Sequence, residues 1–159
     1  MTELSIGDQA PDFTLPTDGG GEITLSAFQG QRVVLYFYPK DNTPGCTTES
    51  CDFRDHKSDF EGLNAQIIGI SKDSVKKHDN FKSKYDLNFP LASDENSDVC
   101  ERYGVWAEKS MYGKTFMGIE RSTFLIDENG RIAKIWRTVK VKDHVAEVRA
   151  ELESMQKAA

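Results

Sequence analysis

The chain has 159 residues, 38% of them apolar and 29% charged, and 20 basic against 26 acidic side chains leave a formal net charge of −6. That length suits one domain, 1–159, with a buried core, and the apolar share excludes a disordered chain. The acidic balance argues against nucleic acid as the main partner, and the longest apolar run, around Val33 to Tyr38, is far shorter than the roughly 20 residues of a membrane span.

In chain order, Met1 to Asp8 shows no basic stretch followed by an apolar one, so a cytoplasmic location is expected. Phe13–Leu15 and Glu22–Leu25 flank Gly19-Gly20-Gly21 and read as a short hairpin. Arg32–Tyr38 is a β-branched and aromatic run, apolar on both faces, as in a central strand covered by helices. Pro39 ends it. Lys40–Gly45 contains Asn42, Pro44 and Gly45 and reads as a loop. A helix is expected over Thr47–Phe60, a buried strand over Ala65–Ile70, and a polar helix over Ser74–Tyr85. Phe89–Ala92 reads as a short strand and Ser97–Tyr103 as a short helix. Ser122–Ile126 and Arg131–Trp136 are strands joined through Asn129-Gly130, a hairpin signal. Val145, Val148 and Leu152 place an apolar stripe on a closing helix over Lys142–Met155. The order predicts an α/β fold: a mixed central sheet flanked by helices, with an N-terminal hairpin. Thioredoxin-like folds show the same order.

The chemistry concentrates in Pro39-Lys40-Asp41-Asn42-Thr43-Pro44-Gly45-Cys46-Thr47-Thr48-Glu49-Ser50-Cys51. Cys46 is expected in the first turn of the helix, where unpaired N–H groups and the positive end of the dipole favour a thiolate, the nucleophilic form. Pro39 and Pro44 stiffen the loop, Thr43 offers a hydroxyl three residues before the sulfur, and Gly45 admits a close backbone approach. Cys51 follows five positions after Cys46. On an ideal helix that spacing separates the Cα atoms by roughly 8–9 Å on different faces. A disulfide needs less than about 7 Å, so the two sulfurs meet only if the start of the helix unwinds.

Three cysteines without a C-x2-C pair do not suggest a zinc site, and His56, His78 and His144 are scattered with charged neighbours, as surface residues would be. No metal or other cofactor is expected. The absence of C-x-x-C disfavours a general protein disulfide reductase; a peroxide-sensing role shares the same sulfur chemistry and stays open. Cys100 reads as a packed structural thiol, and Trp106 and Trp136 as core or pocket-wall aromatics.

The pattern Pro39-x-x-x-Thr43-x-x-Cys46 resembles the active-site signature of the peroxiredoxins. Phe37-Tyr38-Pro39-Lys40, Thr43-Pro44-Gly45-Cys46-Thr47 and the Cys51 spacing are similar to the bacterioferritin comigratory protein, or peroxiredoxin Q, branch. Gly7–Phe13, Tyr103-Gly104-Val105-Trp106 and Gly118–Phe124 extend the likeness over nearly the whole chain. The resemblance implies a thioredoxin-like fold and a thiol peroxidase acting on hydrogen peroxide and organic hydroperoxides. It implies Cys46 as the peroxidatic cysteine and Cys51 as the resolving one. It implies that Thr43 hydrogen-bonds peroxide and sulfur, that Arg121 stabilises thiolate and departing oxygen, and that Pro39 shields the pocket. It also implies thioredoxin, or a glutaredoxin-like protein, as reductant, and a monomer.

Overall fold

The computed structural model describes residues 3–158. Its centre is β3 (Arg32–Phe37), and all six of its residues are buried. Alternation along this strand builds both sides of the molecule. Val33, Leu35 and Phe37 point into one apolar cluster, while Val34, Tyr36 and Tyr38 belong to the other. A strand covered on both faces cannot alternate apolar with polar, which is why it reads as a continuous apolar run.

β4 (Ala65–Ser71) pairs parallel to β3, and β5 (Leu91–Ser93) parallel to β4. On the other side β8 (Ser122–Ile126) pairs antiparallel to β3, and β9 (Ile132–Trp136) to β8. The five-stranded order is β5-β4-β3-β8-β9, the expected mixed sheet. The helices α1 (Pro44–Asp55), α2 (Lys57–Gly62), α3 (Val75–Tyr85) and α5 (His144–Ala158) bring Phe53, Phe60, Phe81 and Val148 to one cluster. The opposite cluster is closed by Phe13, Leu15 of β1 (Thr14–Pro16), Ile23 of β2 (Glu22–Thr24), and Val99 and Cys100 of α4 (Val99–Arg102). β1 and β2 form the expected N-terminal hairpin.

Three local features differ from expectation. The helix read as Thr47–Phe60 starts at Pro44 and breaks at His56. Pro44 occupies the first helical position, where its missing N–H has no partner to lose and its fixed φ suits the helix. The Asn129-Gly130 turn is not a two-residue one: only Gly130 takes positive φ, at 78°, and Gly130 N–H closes back on the Asp127 carbonyl at 3.0 Å. Finally, β6 (Trp106–Met111) and β7 (Lys114–Ile119) form a hairpin absent from the sequence reading. Its turn at Tyr112 and Gly113 has positive φ at both residues, as a type I′ turn requires. Most of β7 is exposed, so burial imposes no apolar alternation on it.

Two of the three histidines are also corrected. His78 and His144 are buried at 0% and 2% exposure, and His56 is half-buried. Charged sequence neighbours do not imply exposure here because one helix turn places successive residues on different faces. Both buried rings have polar partners, as buried polar groups must.

Candidate active site

The register of β3 with β8 builds the site. Phe37, the last residue of β3, pairs with Ser122, the first of β8. Arg121 therefore enters the sheet level with the point where the chain leaves β3 for the cysteine loop. Its Nη2 donates to Cys46 Sγ at 3.3 Å, and its Nη1 to Glu49 Oε1 at 2.7 Å. Cys46 and Glu49 are three residues apart on α1 and so share one helix face. One planar guanidinium spans both.

Cys46 is 1% exposed and lies in the first turn of α1, as expected. Arg121 and the helix N-terminus both put positive potential at its sulfur. Burial works against the charge on Arg121, but Glu49 and Cys46 outweigh it and hold the guanidinium more firmly cationic than usual. Gly45 has a steric reason: a Cβ there would lie 3.1 Å from Arg121 Nη2.

Glu49 was not among the residues singled out from sequence. It is fully buried, and its Oε2 has no hydrogen-bond partner among the described residues. Burial pushes its carboxyl up to about 7, with Arg121 opposing. Its three-residue offset from Cys46 was the available signal. A glutamate on a polar helix is ordinarily solvated, which masked it.

Thr43 stands before Pro44 with extended backbone and caps the start of α1 through its carbonyl, which accepts from Thr47 N–H at 2.8 Å. Its hydroxyl donates to the Lys40 carbonyl at 2.8 Å. That hydrogen is thus committed, and the oxygen keeps lone pairs free to accept from a peroxide O–H. Pro39 lies in the wall of a neighbouring groove with Trp106, Lys109, Phe116, Met117 and Ile119. The exposed Phe116 and Met117 come from the β6–β7 hairpin.

Cys51 lies on the same unbroken helix as Cys46, partly buried, and both are free thiols. Burial pushes the Cys51 thiol above its ordinary value, Arg54 opposing. Cys100 is fully buried and pushed far up by burial and by Asp94, which suits an inert packed thiol. Trp106 and Trp136 are half-buried, one in the groove wall and the other edge-on to His144.

The fold and the sequence have known counterparts. The AhpC/TSA family profile matches residues 6–135. The chain belongs to the AhpC/TSA family. Peroxiredoxin Bcp of Bacillus subtilis is 54% identical over 152 residues, covering 96% of this chain and 97% of that protein. Peroxiredoxin Bcp of Escherichia coli K12 is 46% identical over 144 residues, covering 91% and 92%. The crystal structure of a Cys-to-Ser mutant of Xylella fastidiosa PrxQ superposes with a TM-score of 0.93 at 43% identity, covering 98% of this chain and 99% of that one. This AhpC/TSA member is thus a peroxiredoxin enzyme of the Bcp/peroxiredoxin Q branch, with the thioredoxin-like fold and thiol peroxidase function expected from its sequence.

Proposed function

We propose that the chain reduces hydrogen peroxide and organic hydroperoxides with Cys46 as the peroxidatic cysteine. The contact of Arg121 with both Cys46 and Glu49 carries this reading. A related protein, the bacterioferritin comigratory protein of Xanthomonas campestris, has a structure described for its alkyl peroxide reduction activity, at 45% identity and a TM-score of 0.88.

The Cys46 thiolate attacks the distal oxygen of the hydroperoxide. An S–O bond forms, the O–O bond breaks, and the electron pair leaves on the proximal oxygen, which takes a proton to become water or an alcohol. Arg121 faces the charge that develops on that oxygen, Thr43 accepts from the peroxide O–H, and Pro39 limits water at the sulfur. Sulfur is oxidised to sulfenic acid and peroxide is reduced.

Cys51 then attacks the Cys46 sulfur as a thiolate. The S–S bond forms, and hydroxide leaves and is protonated to water. Their spacing on an intact α1 puts the Cα atoms roughly 8–9 Å apart, beyond the reach of a disulfide. The first turns of α1 must therefore unwind. A dithiol protein, thioredoxin or a glutaredoxin-like protein, then reduces the bond by exchange. A disulfide formed within one chain requires no second subunit, which supports a monomer; a cytoplasmic location belongs to the same proposal.

The test is peroxide consumption with mass mapping of the oxidised chain. Cys46→Ser abolishes consumption, and the wild-type chain shows a Cys46–Cys51 linkage. Full activity in Cys46→Ser, or a linkage to Cys100, overturns the reading.

A further inference from the structure

The loop that delivers Cys46 to α1 is held from behind by a buried polar cluster that the proposed chemistry does not use. The Asp41 carboxylate accepts from the Tyr38 hydroxyl at 2.5 Å and lies 2.6 Å from His78 Nδ1. Its backbone N–H donates to Asp73 Oδ2 at 2.7 Å, and the Ser71 hydroxyl donates to the same oxygen at 2.7 Å. His78 Nε2 lies 3.1 Å from the Ala92 carbonyl. Asp41, Asp73 and His78 are 7%, 9% and 0% exposed.

A carbonyl only accepts, so Nε2 donates, and one proton is held between His78 Nδ1 and Asp41 Oδ2. The ligand atoms of Asp41, Asp73 and His78 all lie within 4.8 Å of one another, as they would around a cation. Hydrogen bonds already occupy those directions. In a buried network of this kind the loss of one member leaves the others uncompensated, so the whole holds its geometry.

This cluster ends where the reactive segment begins. Asn42, the next residue, has φ 63° and accepts from the Tyr85 hydroxyl at 3.1 Å. At the other end the Ser50 and Tyr36 hydroxyls share a hydrogen bond at 2.8 Å, and Phe53 stacks on Tyr36 with ring centroids 4.7 Å apart. Between these anchors, Arg121 holds Thr43–Glu49 through Cys46 and Glu49. Oxidation of the sulfur alters one of those two contacts.

We propose that His78 is a positioning residue for this segment: through Asp41 it anchors the loop that enters α1, keeps opening from spreading N-terminal of Thr43, and so sets how readily Cys46 is released toward Cys51. The inference rests on the roles of Cys46 and Cys51 proposed above. With the clasp closed, opening is confined to Thr43–Glu49, and the folded site is restored by one short segment. With the clasp broken, the whole loop from Asp41 onward frays, and the site that attacks peroxide is less populated.

Amide hydrogen exchange by mass spectrometry on the reduced full-length protein tests it, in wild type, His78→Gln and His78→Asn. The asparagine amide takes the place of Nδ1 and keeps a donor on Asp41, whereas the glutamine amide reaches toward Ala92. In His78→Gln the segment 42–49 exchanges about tenfold faster than in wild type, and in His78→Asn within about threefold of wild type. The rate at which Cys46 reacts with peroxide falls in the first variant and recovers in the second. Equal exchange in all three proteins, or equal acceleration in both variants, overturns the proposal. If His78→Gln does not fold, Asp41→Asn, which keeps the side-chain shape, must show the same acceleration, and unchanged exchange there overturns the proposal. None of these measurements needs the disulfide. Absence of the Cys46–Cys51 linkage in oxidised wild type would sink the resolving role alone.

Discussion

Arg121 Nη2 lies 3.3 Å from Cys46 Sγ, across 75 positions of sequence. The same guanidinium holds the buried Glu49 at 2.7 Å, one turn farther along α1. The nucleophile and a buried carboxylate thus share one cation, and changes to any of the three reach the other two.

Arg121→Lys keeps a charge but loses the planar fork, so one ammonium cannot span Cys46 and Glu49 in the same geometry. The reaction of Cys46 with peroxide slows by about 10²-fold, the scale of losing one preorganised donor at a developing oxyanion. Stopped-flow measurement of that single step checks it, and a rate within a factor of about two removes Arg121 from the proposed chemistry.

The pH dependence of stability carries two opposed contributions. Burial pushes Glu49 up from 4.5 to about 7, so the folded chain holds a proton there that the unfolded chain has released. Its contribution is full below about pH 4.5 and is lost as pH rises toward 7, by about 3 kcal/mol at most. Burial, with Arg121 adding to it, pushes His144 down from 6.5 to about 4, the reverse case. Its contribution is full above pH 6.5 and is lost as pH falls toward 4. Over the shared window the two largely cancel. In urea titrations between pH 4.5 and 6.5, Glu49→Gln exposes a loss of stability toward acid, and His144→Gln a loss toward neutral pH. Identical profiles in wild type and both variants contradict the assignment.

Gly45→Ala separates activity from stability. Alanine favours a helix over glycine by roughly 1 kcal/mol, but its methyl would sit 3.1 Å from Arg121 Nη2. The displaced guanidinium lowers the peroxide rate about tenfold or more, as small misplacements at reacting centres do. The melting temperature holds or rises. An unchanged rate shows that Arg121 can shift without consequence.

Cys51→Ser leaves the first chemical step intact and removes the second. With stoichiometric peroxide one equivalent per chain is consumed, and turnover with thioredoxin then stops. Excess peroxide drives Cys46 on to sulfinic acid, a mass gain that wild type resists. Sustained turnover in this variant takes the resolving role away from Cys51.

The sequence by itself determined what short spans of chain encode. The continuous apolar run of β3, the N-terminal hairpin, the apolar stripe of α5 and the breaker-rich loop before α1 all rest on neighbours within a few residues. So does the position of Cys46 in the first turn of a helix, and with it the five-residue distance to Cys51. Tertiary structure alone decided which distant residues meet. Arg121 reaches Cys46 because Ser122 pairs with Phe37, and a strand register between segments some 85 residues apart has no local signature. Glu49, His78 and His144 look like ordinary polar residues until packing removes water from them, and their partners make that burial tolerable: Arg121 for Glu49, Asp41 and the Ala92 carbonyl for His78, Thr123 for His144. Periodicity reports which face of an element is buried; it carries no record of which charged group waits on the other side.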